Sequence, residues 1–133
     1  MATYVVDANV IVQAAIDEAG LGPLAGHELV APPVMPSEAL SSLSEMLYRG
    51  EISGQLADLA RPRLQALPYD VRRPAELYEV AWRLARDLGW AKTYDAEYVA
   101  LAQILDCALV TLDGRLMRGA GHVARIVGPA ELL

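Results

Sequence analysis

The chain has 133 residues, 54% of them hydrophobic, and carries 17 acids against 11 Lys+Arg for a net charge of −6. That length holds one domain with a sizeable core, and a mean hydropathy of +0.25 excludes a disordered chain. A pI near 4.8 excludes a basic surface for indiscriminate nucleic-acid binding, although a bound divalent cation reverses the charge locally.

Thr3 to about Asp7 is a short apolar, β-branched run that reads as a buried strand and stops on a carboxylate. A helix is expected from about Asn9 to Glu18, broken by Gly20, Gly22 and Pro23. Glu28 to Ala31 reads as a second strand, closed by Pro32 and Pro33. Pro36 and Ser37 open a helix with Leu40, Leu43, Met46 and Leu47 on one stripe, ending at Arg49-Gly50. Ser53 caps another, with Leu56, Leu59 and Ala60 in phase, up to Pro62 or slightly beyond. Leu64 to Val71, with Pro68 inside, reads as a third strand near a sheet edge.

Pro74 opens a long helix in which Leu77, Val80, Ala81, Leu84, Ala85 and Leu88 recur at helical spacing, and Gly89 ends it. Thr93 caps the next, Tyr94 to about Leu105, with Tyr94, Tyr98, Leu101 and Leu105 on one face. Ala108 to Thr111 is a strand ending near Asp113-Gly114, and Val123 to Val127 is the last. The alternation predicts an α/β fold: a three-layer α/β/α sandwich around a mostly parallel sheet of about five strands, with residues 1–133 as a single domain. One cysteine, Cys107, excludes an internal disulfide. No segment has the length and apolarity of a membrane span, and no leader-like start is seen, so a cytoplasmic protein without membrane contact is expected.

Four acids fall at matching junctions. Asp7 and Asp113 lie at or just past strand ends, and Glu38 and Asp95 lie in the first turns of helices that start on that same edge. In open α/β sheets ligands bind at the carboxyl edge of the strands. Two carboxylates about 4 Å apart repel by roughly 4 kcal/mol at an effective dielectric of about 20. A helix N-terminus offsets only about 0.3–1 kcal/mol of that. The four acids are therefore expected to share one hard cation, Mg²⁺ or Mn²⁺ in its place. Singly, each has a plain alternative: Asp95 as a first-turn acid, Asp113 as a turn residue, Glu38 as part of a helix start. Asp7 is harder to explain that way, because an acid closing a buried strand is costly without a partner.

Val5-Val6-Asp7-Ala8-Asn9, Pro36-Ser37-Glu38, the helix from Tyr94-Asp95-Ala96 to Ala102, and Leu109-Val110-Thr111-Leu112-Asp113 together resemble a PIN-domain ribonuclease. Size and motif order are most similar to the VapC-type toxins of prokaryotic toxin–antitoxin pairs, and the resemblance spans essentially the whole chain. It implies a Mg²⁺-dependent endoribonuclease that uses metal-activated water and is held inactive by a separately encoded antitoxin. Residue by residue, it carries catalytic and metal-binding roles to Asp7, Glu38, Asp95 and Asp113, and supporting roles to Asn9 and Thr111. Many relatives have a further acid or Asn shortly after the last Asp. Here the stretch reads Gly114-Arg115-Leu116-Met117, which leaves a second metal without that ligand.

Lys92, Arg115 and Arg118 stand next to acids of the site and are the candidates for RNA phosphate contacts. His27 and His122 precede strands, which puts them on the opposite edge and argues against a histidine base. Glu45 is expected in solvent, Cys107 as a small buried hydrophobe, and Tyr94 and Tyr98 in the core. The stripes Leu40–Leu47 and Leu56–Ala60 suggest a homodimer. Alternatives are a PIN nuclease of RNA processing without an antitoxin and an inactive PIN fold used for binding, which the full set of acids disfavours. A receiver-type phosphoacceptor domain ranks far behind, because it wants paired acids early and a Lys after a late strand, whereas the early pair is absent here and Lys92 precedes a helix.

Overall fold

The computed structural model describes residues 1–132. Eleven elements run in order: β1 (Thr3–Val6), α1 (Ala8–Ile16), β2 (Glu28–Ala31), α2 (Met35–Tyr48), α3 (Gly54–Ala66), β3 (Asp70–Val71), α4 (Leu77–Leu88), α5 (Tyr94–Leu105), β4 (Ala108–Val110), α6 (Gly114–Ala120) and β5 (Ile126–Val127). Short 3₁₀ turns occupy Gly22–Leu24 and Pro129–Leu132.

The five strands pair in the order β3-β2-β1-β4-β5, and every pairing is parallel. β1 is central because Tyr4-Val5-Val6 suits burial on both faces, and Val5 and Val6 are fully buried. Val5 stands between Val30 of β2 and Leu109 of β4, which sets the register. Right-handed crossovers send α1, α2 and α3 to one face and α4, α5 and α6 to the other. Packing agrees: α1, α2 and α3 touch one another, and α4 lies along α5. No helix among the described residues is long and apolar enough to cross a membrane.

The predicted three-layer architecture holds, with a sheet that is parallel throughout rather than mostly. Three local expectations are corrected. Leu64 does not begin a strand: α3 runs through Pro62 to Ala66, and β3 is only two residues long. Leu64 is buried on the same face as Ala57 and Ala60, and Arg63 Nη1 donates to the Ala15 carbonyl at 3.3 Å. This packing outweighs the roughly 3 kcal/mol that an interior Pro costs a helix. β5 is likewise shorter than the run from Val123, and α4 begins at Leu77, one turn after Pro74. α6, which has no apolar stripe long enough to announce it, follows directly from the Asp113 cap.

The expected caps form where side chains can reach. Ser53 Oγ accepts from Leu56 N–H at 3.1 Å, and Gly89 closes α4 in the left-handed region at φ 73°. Thr93 makes no cap hydrogen bond; its hydroxyl donates to Glu97 Oε2 at 3.5 Å instead.

Candidate functional site

The strand order reverses between β1 and β4, since the chain builds outward from β1 in one direction and then returns to its other side. Such a switch point leaves a crevice beyond the strands' carboxyl ends. Asp7 is the first residue past β1 and caps α1, with Oδ1 accepting from Ala8 N–H at 2.7 Å. Its Oδ2 accepts from the Thr111 hydroxyl at 2.7 Å and from Asn9 Nδ2 at 3.1 Å. Thr111, fully buried just past β4, also accepts from Asp113 N–H at 3.0 Å. Asn9 Oδ1 accepts from Leu112 N–H at 3.1 Å. A backbone N–H can only donate, so this contact fixes the Asn9 amide with its NH₂ toward the carboxylate. One network thus ties the ends of β1 and β4 and leaves Asp7 a single orientation.

The other acids approach from separate helices. Glu38 sits in the first turn of α2, and its Oε1 accepts from the Tyr98 hydroxyl at 2.6 Å. Asp95 opens α5, and Asp113 caps α6 through Arg115 N–H at 2.9 Å, with Arg115 Nε at 3.4 Å from the same oxygen.

Burial pushes the Asp7 carboxyl up to about 6; hydrogen bonds from Thr111 and Ala8 oppose this, and the charges of Asp95 and Glu38 reinforce it. Glu38 is raised by burial and by Asp95 and Glu97, against the Tyr98 hydrogen bond. Asp95 is the most exposed of the three, yet the surrounding protein still raises it, with Asp113 adding and Arg115 opposing. Tyr98 is held far above the ordinary phenol range by burial and by its bond to Glu38, so it remains a donor at every physiological pH.

Asp95 and Glu38 thus act on Asp7, Asp95 on Glu38, and Asp113 on Asp95, while Asn9 and Thr111 are bonded to Asp7. As they stand, no three His, Cys, Asp or Glu side chains among the described residues are close enough to hold a metal ion. Lys92 lines an open depression beside Glu38 and Asp95, and Arg115 and Arg118 are exposed on α6. Glu45 is exposed and pairs with Arg49 at 3.3 Å. Cys107 is half-buried against the core.

Two features of this region escaped the sequence reading, although Tyr98 is in the core as expected. Tyr98 donates to Glu38, and its place one turn after Asp95 was the available signal. Glu97 is buried, and it lies in the run Ala96–Ala102 that is buried all round. A charge inside such a run was the signal there. Tyr94, expected in the core with Tyr98, is half-exposed, because the first turn of α5 projects beyond the sheet edge.

Comparison with known proteins agrees with this geometry. Residues 4–121 match the family model described as the PIN domain. The chain is 36% identical over 116 residues to VapC ribonuclease Mb0985 of Mycobacterium bovis, covering 84% of this chain and 87% of that protein. It is 39% identical over 95 residues to Ribonuclease VapC1 of Mycobacterium tuberculosis, covering 68% of this chain and 67% of that one. Among solved structures, PAE2754 from Pyrobaculum aerophilum aligns with a TM-score of 0.75 at 23% identity over 98% of this chain and 93% of that chain. VapBC2 from Rickettsia felis, bound to a DNA fragment from its promoter, aligns at a TM-score of 0.68 and 13% identity over 95% of this chain and 98% of that chain. These two likenesses are of fold. With the family model matched along most of its length and VapC ribonucleases more than a third identical to it, the chain belongs to the PIN-domain family, among the VapC ribonucleases.

Proposed function

We propose that this chain, as a single domain over residues 1–133, is a Mg²⁺-dependent endoribonuclease and the toxin of a toxin–antitoxin pair. Asp7, Glu38, Asp95 and Asp113 are its catalytic metal ligands, and Mn²⁺ substitutes for Mg²⁺. The observation that carries this reading is the crowding of Asp7, Glu38 and Asp95, each raised by burial and by a neighbouring acid. The donor set fits a hard cation, since it consists of carboxylate oxygens. When bound, the ion lowers the pKa of a water and offsets charge on the phosphoryl oxygens.

The protein's own groups do the positioning. Asn9 and Thr111 hold Asp7 in one rotamer, and Tyr98 does the same for Glu38. Lys92, Arg115 and Arg118 supply positive charge for RNA phosphates around an otherwise acidic site. The related VapC ribonucleases support the substrate, and a toxin–antitoxin complex from Klebsiella pneumoniae with the same fold supports the partner. Leu40, Leu47 and Leu59 are exposed on α2 and α3, which supports both a homodimer and apolar anchoring of an antitoxin tail. A cytoplasmic site of action follows from that role.

Expression of wild type alone, wild type with the neighbouring small reading frame, and Asp7→Ala alone tests the reading. Growth arrest only in the first is the expected result, together with RNA cleavage in Mg²⁺ that chelator abolishes. RNA cleavage without growth arrest indicates a processing nuclease instead. Arrest by Asp7→Ala overturns the site.

A further inference from the structure

Beside Glu38 and Asp95 the surface sinks into an open depression of about 610 Å³, whose remaining walls are the Gly89–Lys92 loop and Tyr94. Tyr94 is 50% exposed, whereas Tyr98, one turn on, is completely buried. Half of Tyr94 is therefore open to a ligand in the depression. The Gly89–Lys92 loop is firmly built. Trp90 N–H donates to the Ala85 carbonyl at 2.8 Å, closing the left-handed turn at Gly89. Trp90 also packs against α6 so closely that a Cβ on Gly119 would lie 3.4 Å from its Cζ2. Lys92, the only lysine of the chain, stands exposed on the same loop.

We propose that this depression is a nucleobase subsite. Tyr94 stacks on an unpaired base next to the phosphate held at the acids, with Trp90 lining the same depression, and Lys92 meets the adjoining backbone phosphate. The inference rests on the ribonuclease reading and adds the residues that hold a base beside the cleaved phosphate. Aromatic stacking supplies affinity that the site's negative charge does not weaken, and it tolerates any base because every base has a π-face. In a duplex both faces of the base are already covered, so the subsite selects single strands.

The test is binding of a fluorescein-labelled single-stranded RNA of mixed sequence, and of the same strand annealed to its complement, measured by anisotropy in chelator. The chain has two tryptophans, so a Trp82→Leu background leaves Trp90 as the sole intrinsic reporter. Tyr94→Leu should weaken single-strand binding at least about fivefold and leave duplex binding unchanged, while Tyr94→Phe keeps wild-type affinity. Single strands should quench Trp90. Equal binding by Tyr94→Leu and wild type, loss in Tyr94→Phe as large as in Tyr94→Leu, or no single-strand binding by wild type overturns the subsite. Cleavage by wild type in Mg²⁺ is scored separately. Its absence removes the ribonuclease reading, whereas cleavage with an unaffected Tyr94→Leu removes the subsite alone.

Discussion

The hydroxyl of Tyr98 on α5 donates to Glu38 Oε1 on α2 at 2.6 Å, joining helices from opposite faces of the sheet beyond its edge. Glu38 is half-buried and Tyr98 fully so, which makes this a charge-assisted bond shielded on one side. Tyr98→Phe preserves the ring in the core and removes only the donor. We expect about 1–2 kcal/mol of lost stability in urea unfolding. The Mg²⁺ concentration for half-maximal cleavage should also rise, since Glu38 is then free to turn. An unchanged metal requirement would show that the bond serves the fold alone.

Asp95 accepts no hydrogen bond among the described residues, so Asp95→Asn removes repulsion without leaving a donor unpaired. Its thermal midpoint in chelator should equal or exceed that of wild type, while Mg²⁺-dependent cleavage falls at least about a hundredfold. A folded Asp95→Asn protein that cleaves normally would remove Asp95 from the site.

Asp7 differs, because three donors meet its carboxylate and an Asn offers one acceptor atom. Its expected signature is a pH dependence. The folded carboxyl is raised from 3.8 to about 6, so between those values the folded state holds a proton that the unfolded state has released. Stability without metal is therefore greatest below pH 3.8 on this account and declines until about pH 6. The decline is at most about 3 kcal/mol. Chelator-treated wild type should show it in denaturant titrations from pH 4 to 7, and Asp7→Asn should reduce it to the share left by Glu38 and Asp95, which are raised too.

Thr111→Val keeps the shape of a fully buried side chain and strips a donor from Asp7 and an acceptor from Asp113 N–H. A destabilisation of about 1–3 kcal/mol is expected, with cleavage reduced about 10- to 100-fold. Thr111→Ser should recover most of the activity. If Ser fares no better than Val, the hydroxyl has no role.

An antitoxin side chain that enters the groove has two options: an acid pairing with Arg115 or Arg118, or an Arg lying against the carboxylates in place of the metal. Four acids outnumber the nearby cations, so the Arg version is expected without Mg²⁺. Complex formation should then weaken as Mg²⁺ is raised, and indifference to Mg²⁺ would reject it.

Asp7, Glu38, Asp95 and Asp113 were legible because strand ends and helix starts declare themselves through β-branched runs, Pro36 and Thr93. The limits of β3 were not, since Leu64 is apolar under either assignment and only the packing of α3 against α1 and α2 decides for helix. Tyr94 and Tyr98 share a periodicity, and no spacing rule reveals that the sheet edge falls between them. The Tyr98–Glu38 bond needs two helices in place, 60 residues apart. Local pattern therefore located the acids, and only tertiary structure identified what holds them.

The bond from Thr111 to Asp7 spans 104 residues of chain, because the central strand is made first and its neighbour β4 almost last. During synthesis, Val5 has no Leu109 beside it and Asp7 lacks its hydroxyl donor until β4 has left the ribosome. The carboxylate is therefore oriented only once β4 has paired with β1, so the site and the centre of the sheet form together.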